Sequence, residues 1–227
     1  MLQRKPGRAP YEPPRVLGRR DLIVDDPLAA QILDRVGSLI LLIAFLPFMA
    51  IIALAIFLAS PGPVIFRQTR IGRGGKKFTC LKFRSMAIDA DERLTRLLNS
   101  DPEARREWER DHKLKNDPRV HRFGRFLRKS SLDELPQLFN VLRGEMSLVG
   151  PRPIVEAEIS RYGRYFGHYC SVRPGMTGLW QISGRNDVHY RRRIAFDVIY
   201  VRKGRVGDNL RILALTVPIV LYSKGSY

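Results

Sequence analysis

The apolar positions of the chain are gathered into one long run and one shorter run near the end. Residues 36–59 read VGSLILLIAFLPFMAIIALAIFLA and contain no charged side chain. A helix of that length can cross a hydrocarbon layer of about 30 Å, so the pattern predicts a membrane element. Residues 212–222, ILALTVPIVLY, are too short to cross. For these we expect a helix that lies in the membrane interface or packs in the core.

A proline near the middle of the long run leaves its path through the membrane open. Pro47 removes one helical hydrogen bond and favours a kink. Each half is then roughly 17 to 20 Å long at about 1.5 Å per residue, which is too short to cross alone. Basic residues flank the run on both sides, so charge gives no inside–outside asymmetry. A kinked spanning helix and a re-entrant helix, which enters and leaves on the same face, both fit this pattern.

The residues that follow the long run predict a β-hairpin. Residues 64–86 read VIFRQTRIGRGGKKFTCLKFRSM, which is the pattern of two short strands around a Gly-Gly turn. Lys82 and Arg84 flank the apolar Phe83, so both should project from one face of the strand. That geometry suits a pyrophosphate, although basic hairpins are also common solvated features.

Polar segments with helical character follow the hairpin. Residues 87–113 predict charged helices, and residues 119–129, RVHRFGRFLRK, predict a basic amphipathic helix suited to a membrane surface. The sequence therefore predicts a basic arm over residues 1–30, a membrane helix over residues 31–60 and a membrane-associated domain over residues 61–227. The predicted fold class is α+β and mainly helical, with a short β-hairpin and amphipathic interfacial helices around the site.

Net charge narrows the partners that the chain can have. The 40 Lys and Arg residues against 22 Asp and Glu give a net charge of +18. This predicts an anionic partner, which could be nucleic acid, anionic lipid or a phosphorylated substrate. The long apolar run and the lack of a basic recognition helix count against nucleic acid. The two cysteines, Cys80 and Cys170, and the four scattered histidines show no zinc-ligand spacing.

Two adjacent carboxylates, Asp133 and Glu134, lie in the stretch RKSSLDELPQLFNVLRGEMSLVGPRP. Ser131 with Glu134 matches a Ser-x-x-Glu capping box, which would give the pair a purely structural role. A helix that begins at Asp133 fits better, because Pro136 would then lie in its first turn. Apolar residues recur downstream at helical spacing before a glycine stop. These apolar residues are Leu135, Leu138, Phe139 and Leu142, and the glycine is Gly144.

A helix start at Asp133 would have a chemical consequence. The positive end of the helix dipole favours the ionised carboxylate. An ionised carboxylate among arginines can hold a divalent cation or attack a phosphorus atom. The alternative is a non-catalytic membrane scaffold in which this stretch is only a capped helix.

Further binding candidates are basic residues near the carboxylates and polar residues in a Gly-rich segment. The phosphate-binding candidates are Lys82, Arg84, Arg128 and Arg152. Residues 172–187 read VRPGMTGLWQISGRND, which could form either structural turns or a nucleotide pocket. The nucleotide- or sugar-binding candidates there are Arg173, Gln181, Arg185 and Asn186.

The motifs together resemble a known family. The order of SPGPVIFRQTRIG, KFRSM, RKSSLDELPQLFNVLRGEMSLVGPRP and VRPGMTGLWQISGRN is similar to that of the bacterial sugar transferases called monotopic polyprenyl-phosphate phosphoglycosyl transferases. The continuation GRNDVHYRRRIAFD and the ending SKGSY are most similar to small exopolysaccharide-initiating undecaprenyl-phosphate galactose-phosphotransferases. Relatives in this family carry a re-entrant helix with a Ser-Pro break, whereas Leu46 precedes Pro47 in this chain.

This resemblance implies a reaction and roles for the two carboxylates. It implies transfer of a hexose 1-phosphate, here galactose 1-phosphate, from a UDP-sugar to undecaprenyl phosphate, with release of UMP and a requirement for Mg²⁺. Asp133 corresponds to the nucleophile that becomes a phosphosugar ester, and it is also our candidate metal ligand. Glu134 corresponds to its catalytic partner, which could orient the metal or carry a proton.

The implied partners and location follow from that reaction. They are the UDP-sugar, undecaprenyl phosphate and anionic membrane lipids, with no nucleic acid. Downstream glycosyltransferases and a further copy of the chain are additional candidate partners. Because nucleotide sugars are cytosolic, we expect a re-entrant helix in the bacterial inner (cytoplasmic) membrane and a catalytic domain on its cytoplasmic face.

Overall fold

A computed structural model describes residues 27–111, 114, 117–184, 188–204 and 206–221 of the chain. The fold is mainly helical with two small two-stranded sheets, which confirms the predicted α+β class. Residues 1–26 of the predicted basic arm, together with Arg185, Asn186 and the SKGSY ending, lie outside the described residues.

The long apolar run forms one continuous helix, α1, from Leu28 to Ala59, with Pro47 inside it. Its buried residues form a stripe at mostly four-residue spacing, while most of its other leucine, isoleucine and phenylalanine side chains remain exposed. The buried stripe is Ala30, Asp34, Ser38, Leu42, Met49, Ile52 and Ile56. It packs against α5 (Gln137–Leu142) and β3 (Ser147–Val149). α1 is therefore a part of the core along its length and an apolar surface on its other sides.

Both ends of α1 are attached to the same folded body. Near the first end, Asp34 Oδ1 accepts hydrogen bonds from the Ser147 hydroxyl at 2.9 Å and from the Leu148 amide at 2.8 Å. Just beyond the other end, the carbonyl oxygen of Ser60 accepts a hydrogen bond from Arg84 Nη2. The domain therefore holds the helix from near its first turn to its last.

The predicted hairpin is present as β1 (Ile65–Ile71) and β2 (Lys77–Phe83), which pair antiparallel from Ile65↔Phe83 to Ile71↔Lys77. The turn between them is a 3₁₀ segment, Arg73–Gly75. The second sheet pairs β3 in parallel with β4 (Gly175–Thr177).

The predicted charged helices are α2 (Ala90–Ser100) and α3 (Pro102–Asp111), and the basic amphipathic helix is α4 (Arg122–Ser130). In chain order, the short helices α6 (Ile159–Tyr162) and α7 (Phe166–Cys170) come between β3 and β4, and α8 (Leu179–Ile182) follows β4. Two longer helices follow, α9 (Tyr190–Lys203) and α10 (Val206–Leu221). The apolar run near the end lies in α10, where Ile212 is buried in the core and Leu215 and Val217 are exposed.

The expected helix start at Asp133 is wrong. Residues Leu132–Glu134 form a single 3₁₀ turn, Pro136 is the N-cap residue of α5, and α5 begins at Gln137. The capping box is also absent, because the Ser131 side chain makes no cap hydrogen bond.

The apolar face predicted for this helix is only partly the buried one. Leu138 is buried, but Phe139 is 37% exposed, while Asn140 is completely buried. The reason is that α5 covers the open edge of β2. The Asn140 amide accepts a hydrogen bond from the Leu81 backbone at 3.0 Å and donates one to the Thr79 carbonyl at 2.7 Å. A sheet edge needs such polar partners, and this requirement overrides the apolar periodicity.

Candidate active site

The two carboxylates lie on the tight turn between α4 and α5. Ser131 ends α4 in the left-handed conformation with φ 59°, and it is the one non-glycine residue with positive φ in the described part of the chain. The 3₁₀ turn that follows places Asp133 in the interior with 8% of its surface exposed, whereas the Glu134 side chain is 23% exposed. Neighbouring residues of one turn thus have different surroundings.

Glu134 is held by cations from two other segments. Lys82 Nζ, on β2, lies 2.6 Å from Glu134 Oε1, and Arg152 Nη2, on the loop after β3, lies 3.7 Å from the same oxygen. Burial alone would raise the pKa of Glu134, but the charges of Lys82 and Arg152 outweigh it and lower that pKa well below its usual range. Glu134 therefore remains ionised at any physiological pH.

Asp133 is the opposite case. The pKa of Asp133 is raised to about 6, mainly by burial and secondly by the neighbouring charge of Glu134. Lys82, Arg128 and Arg152 oppose the rise. The carboxylate accepts no hydrogen bond from a described residue. At neutral pH it is mostly ionised, poorly solvated and surrounded by positive charge, which are properties of a reactive carboxylate rather than a structural one.

A small pocket opens beside Glu134, between the hairpin and the loop after β3. Its lining residues are Arg70, Cys80, Lys82, Glu134, Gln137, Arg152, Pro153, Gly175 and Met176. We call it the Lys82 pocket.

Arg70 is a cation of the Lys82 pocket that sequence reasoning did not select. Its Nη1 donates to the Pro153 carbonyl at 2.9 Å, which ties β1 to the GPRP loop. The hairpin register contains the signal that would have found it. Arg70 pairs with Phe78, and Phe78, Cys80 and Lys82 alternate onto one face. Arg70 and Lys82 therefore share a face of the hairpin.

Of the predicted phosphate-binding residues, Lys82 and Arg152 meet at Glu134, and Arg128 approaches Asp133 from α4. Arg84 does not join Lys82. Its side chain is 7% exposed and reaches the end of α1, at Ser60. The two residues that flank Phe83 thus serve different parts of the molecule.

Of the residues predicted to bind nucleotide or sugar, Arg173 is engaged in the fold. Its Nη2 lies 2.8 Å from Asp34 Oδ2 and its Nη1 donates to the Met146 carbonyl at 3.2 Å. Gln181 lies on α8 with both atoms of its amide buried and without a hydrogen-bond partner among the described residues. Arg185 and Asn186 are outside the described residues.

The donor set around the turn suits Mg²⁺ only in part. No group of three or more His, Cys, Asp or Glu side chains that could hold a metal occurs among the described residues. Mg²⁺, however, is commonly bound through one or two carboxylates together with substrate phosphates. Asp133, which accepts no hydrogen bond from a described residue, fits that pattern, whereas Glu134 is already bound by Lys82.

Comparison with known proteins shows the family of the chain. The family model described as "Bacterial sugar transferase" matches residues 26–223. The chain belongs to this family. The match includes the α4–α5 turn, the hairpin and the GPRP loop, so the bacterial sugar transferase domain is the unit that carries Asp133 and Glu134.

Curated relatives are similar over most of this chain. The UDP-galactose-lipid carrier transferase of Erwinia amylovora is 52% identical over 86% of this chain and 40% of its own length. The undecaprenyl-phosphate galactose phosphotransferase of Salmonella typhimurium is 56% identical over 73% of this chain and 35% of its own length. The exopolysaccharide production protein ExoY of Rhizobium meliloti is 46% identical over 88% of both chains. The chain thus spans less than half the length of the first two relatives.

The family match confirms the family that the order of the motifs predicted. The apolar surface of α1 and the undecaprenyl-phosphate enzyme among the relatives indicate a membrane-bound protein.

Proposed function

We propose that this protein transfers a hexose 1-phosphate from a UDP-sugar to undecaprenyl phosphate, releases UMP and so begins synthesis of an exopolysaccharide. The observation that supports it best is the buried Asp133 carboxylate, which is surrounded by Lys82, Arg128 and Arg152 and lies next to a pocket of positive charge. Galactose is the preferred sugar, because two relatives are named for galactose or UDP-galactose.

The reaction divides into two displacements at one phosphorus atom. First, an Asp133 oxygen bonds to the β-phosphorus of the UDP-sugar, the bond to the bridging oxygen breaks, and UMP leaves with the electron pair. Second, an oxygen of the lipid phosphate bonds to the same phosphorus, the bond to Asp133 breaks, and the carboxylate is regenerated. No electrons are gained or lost, and dianionic lipid phosphate needs no proton transfer.

The residues around the turn have separate tasks in this scheme. Lys82, Arg152 and Arg70 would hold the pyrophosphate in the Lys82 pocket and offset the charge that develops on the UMP oxygen. Glu134 stays ionised and positions Lys82, so it is better suited to orientation than to proton transfer. Mg²⁺, held by Asp133 and the substrate phosphates, would lower the repulsion between nucleophile and pyrophosphate.

The path of α1 supports a re-entrant membrane attachment. Asp34, in its first turns, and Ser60, at its end, both bond to the same domain. A helix that delivered its two ends to opposite faces of a membrane could not keep both contacts with a domain on one face. We therefore place the catalytic domain on the cytoplasmic face of the inner membrane, where UDP-sugars and anionic lipids are available.

The covalent step can be tested directly. Purified full-length protein in detergent receives a UDP-sugar labelled in the sugar, with Mg²⁺ and no lipid acceptor. Label should remain on the peptide that contains Asp133, with one UMP released for each label. A panel of UDP-galactose, UDP-glucose and other UDP-sugars identifies the donor. Release of UMP only when lipid phosphate is present, with no labelled peptide, would replace the two-step scheme by direct transfer.

The topology has its own test. Single cysteines placed near residue 20 and near residue 75 should both resist a membrane-impermeant thiol reagent in intact cells. Labelling of the first cysteine from outside would show a spanning helix.

A further inference from the structure

A second cluster of positive charge lies outside the Lys82 pocket, since none of its members lines that pocket. Arg84, His121 and Arg128 form it. Gly124 of α4 brings these residues together, because any side chain there would clash with the carbonyl of Ser85. The close approach packs α4 against the segment that follows β2. We call this group the Arg84 cluster.

Arg84 is the buried centre of this cluster. Its amide donates to the Val64 carbonyl at 2.8 Å, which extends the hairpin one residue beyond β2. The side chain is 7% exposed, and its Nη2 donates to Ser60. Its Nε and Nη1 atoms are buried and have no partner among the described residues. A buried guanidinium with unused donors is costly unless an anion completes it.

His121 adds a third unused donor. His121 is the N-cap residue of α4, and its Nδ1 accepts a hydrogen bond from the Gly124 amide at 2.8 Å. Its proton is therefore on Nε2, which is buried and without a partner among the described residues. Burial, followed by the charges of Arg84 and Arg128, lowers the pKa of His121, so the ring is neutral near pH 7. It offers one N–H to the cluster without adding charge.

Arg128 connects the cluster to the reactive carboxylate. Its Nε donates to the Ser85 hydroxyl at 2.8 Å, and it is an electrostatic neighbour of both His121 and Asp133. An oxyanion bound by these donors would therefore lie beside Asp133. It would be held by side chains that do not line the Lys82 pocket.

The surroundings of the cluster point to a lipid. Ser60 is the first residue after the membrane helix. A Cβ atom on Gly62 would meet both Arg84 Nη1 and Ile88 Cδ1, which shows that the exposed Ile88 side chain lies close to the guanidinium. Phe126, on the helix that carries Arg128, is also exposed. Apolar side chains at the membrane surface suit an acyl or isoprenyl chain, whereas a free nucleotide has no use for them.

We propose that the Arg84 cluster binds the phosphate monoester head of the polyprenyl acceptor, while the Lys82 pocket receives the nucleotide sugar. This assignment rests on the proposed function. It gives each phosphate its own group of cations near Asp133. After UMP has left, the lipid phosphate would attack the aspartyl phosphosugar from the side opposite the Asp133 oxygen, as an in-line displacement requires.

The test uses His121→Asn, Arg84→Gln and Arg84→Lys in the full-length chain. Asn is a good N-cap residue, so His121→Asn keeps the cap of α4 but removes the Nε2 donor. Arg84→Lys keeps charge and reveals whether loss of folding explains the Gln variant. Arg125→Gln is the matched control, because Arg125 is an exposed arginine of the same helix. Binding of radiolabelled undecaprenyl phosphate and of UMP is measured in phosphatidylcholine nanodiscs.

We expect Arg84→Gln and His121→Asn to weaken undecaprenyl phosphate binding roughly tenfold or more, and UMP binding by less than about twofold. Arg125→Gln should change neither. In turnover assays the acceptor KM should rise while the donor KM stays near the wild-type value. Equal or larger loss of UMP binding, or unchanged lipid binding in both variants, would overturn the assignment.

Two competition arms identify the source of the phosphate. Inorganic phosphate and phosphatidylglycerol are each added at the concentration of the lipid phosphate. Neither should displace it. Displacement by inorganic phosphate would show a free-phosphate site, and displacement by phosphatidylglycerol would show a general anionic-lipid site. If wild-type protein binds undecaprenyl phosphate at this cluster but transfers sugar phosphate from no UDP-sugar, the binding assignment stands and the proposed reaction fails.

Discussion

Two buried aspartates, Asp34 and Asp133, show how similar burial can serve opposite purposes. Asp34 is 3% exposed, and its carboxylate is satisfied by Ser147, the Leu148 amide and Arg173. Asp133 is 8% exposed, and no described residue donates a hydrogen bond to it. The hydrogen bonds and the ion pair of the fold occupy the Asp34 carboxylate. The Asp133 carboxylate remains available to a ligand, and its buried charge is destabilising. The number of partners, not the depth of burial, separates an anchor from a reactive group.

The largest expected effect is on turnover, in Asp133→Asn. The amide cannot form the phosphosugar ester, so transfer should fall by more than about 10³-fold. The same change removes a buried, poorly satisfied charge, so the variant should unfold at least as high in temperature as wild type at pH 8. Transferase assays and thermal unfolding in detergent check both parts. A variant that unfolds early would mean that Asp133 is also an anchor.

The second prediction concerns Asp34, where substitution should reduce stability. Asp34→Asn leaves Arg173 buried without its counter-charge and should lower the free energy of unfolding by about 3–5 kcal/mol. Denaturant unfolding measures this. The double variant Asp34→Asn/Arg173→Met should recover part of the loss, because the orphaned charge is gone. No recovery would show that the hydrogen bonds to Ser147 and Leu148, rather than the ion pair, carry the anchor.

The third prediction concerns pH. Since the pKa of Asp133 is raised from 3.8 to about 6, the rate of protein labelling by UDP-sugar should fall about tenfold per unit below pH 6. The sign for stability is the reverse. The folded protein binds this proton more tightly than the unfolded chain, so wild type loses about 2 kcal/mol as pH rises from 4 to 7, relative to Asp133→Asn. Parallel unfolding curves for the two proteins would contradict the raised pKa.

The smallest predicted effect is a shift in the pH dependence of labelling in Lys82→Met, which is separate from the fall in rate expected when a pyrophosphate-binding cation is lost. Lys82 lowers the pKa of Asp133 and of Glu134, so its removal should move the acid limb of the labelling rate upward by about one pH unit. Lys77→Met is the control, because the exposed Lys77–Glu156 pair should contribute little. An unmoved acid limb in Lys82→Met would assign that limb to a group other than these two carboxylates.

Much of this architecture could be predicted from the pattern of residues. The apolar run, the hairpin and the Asp133–Glu134 pair each have a local signal, since periodicity and turn residues act over a few positions. The motif order also predicted the family. What local patterns could not show was long-range partnership. Nothing near Arg173 indicates that it bonds to Asp34, and nothing near Arg84 indicates that it reaches Ser60.

The turn that carries the site was mispredicted for a physical reason. The sequence around Asp133 has the spacing of a helix start, but Ser131 in the left-handed conformation ends α4 directly before it. A 3₁₀ turn then fits the short span before Pro136. Competition between two adjacent helices for the same residues is not visible in either pattern alone. Functional turns are a common place for such conflicts.

The attachment of α1 along the domain has a consequence for how the protein is made. Asp34 bonds to Ser147, Leu148 and Arg173, which follow it in the chain by 113, 114 and 139 positions. During synthesis the helix therefore leaves the ribosome before these partners have been made. Until then the Asp34 carboxylate lacks the bonds that it makes in the folded domain. Entry into the lipid surface and completion of the core become successive stages of one assembly, with closure delayed until the segment around Arg173 emerges. Truncation after β3 should leave a chain that reaches the membrane but does not mature.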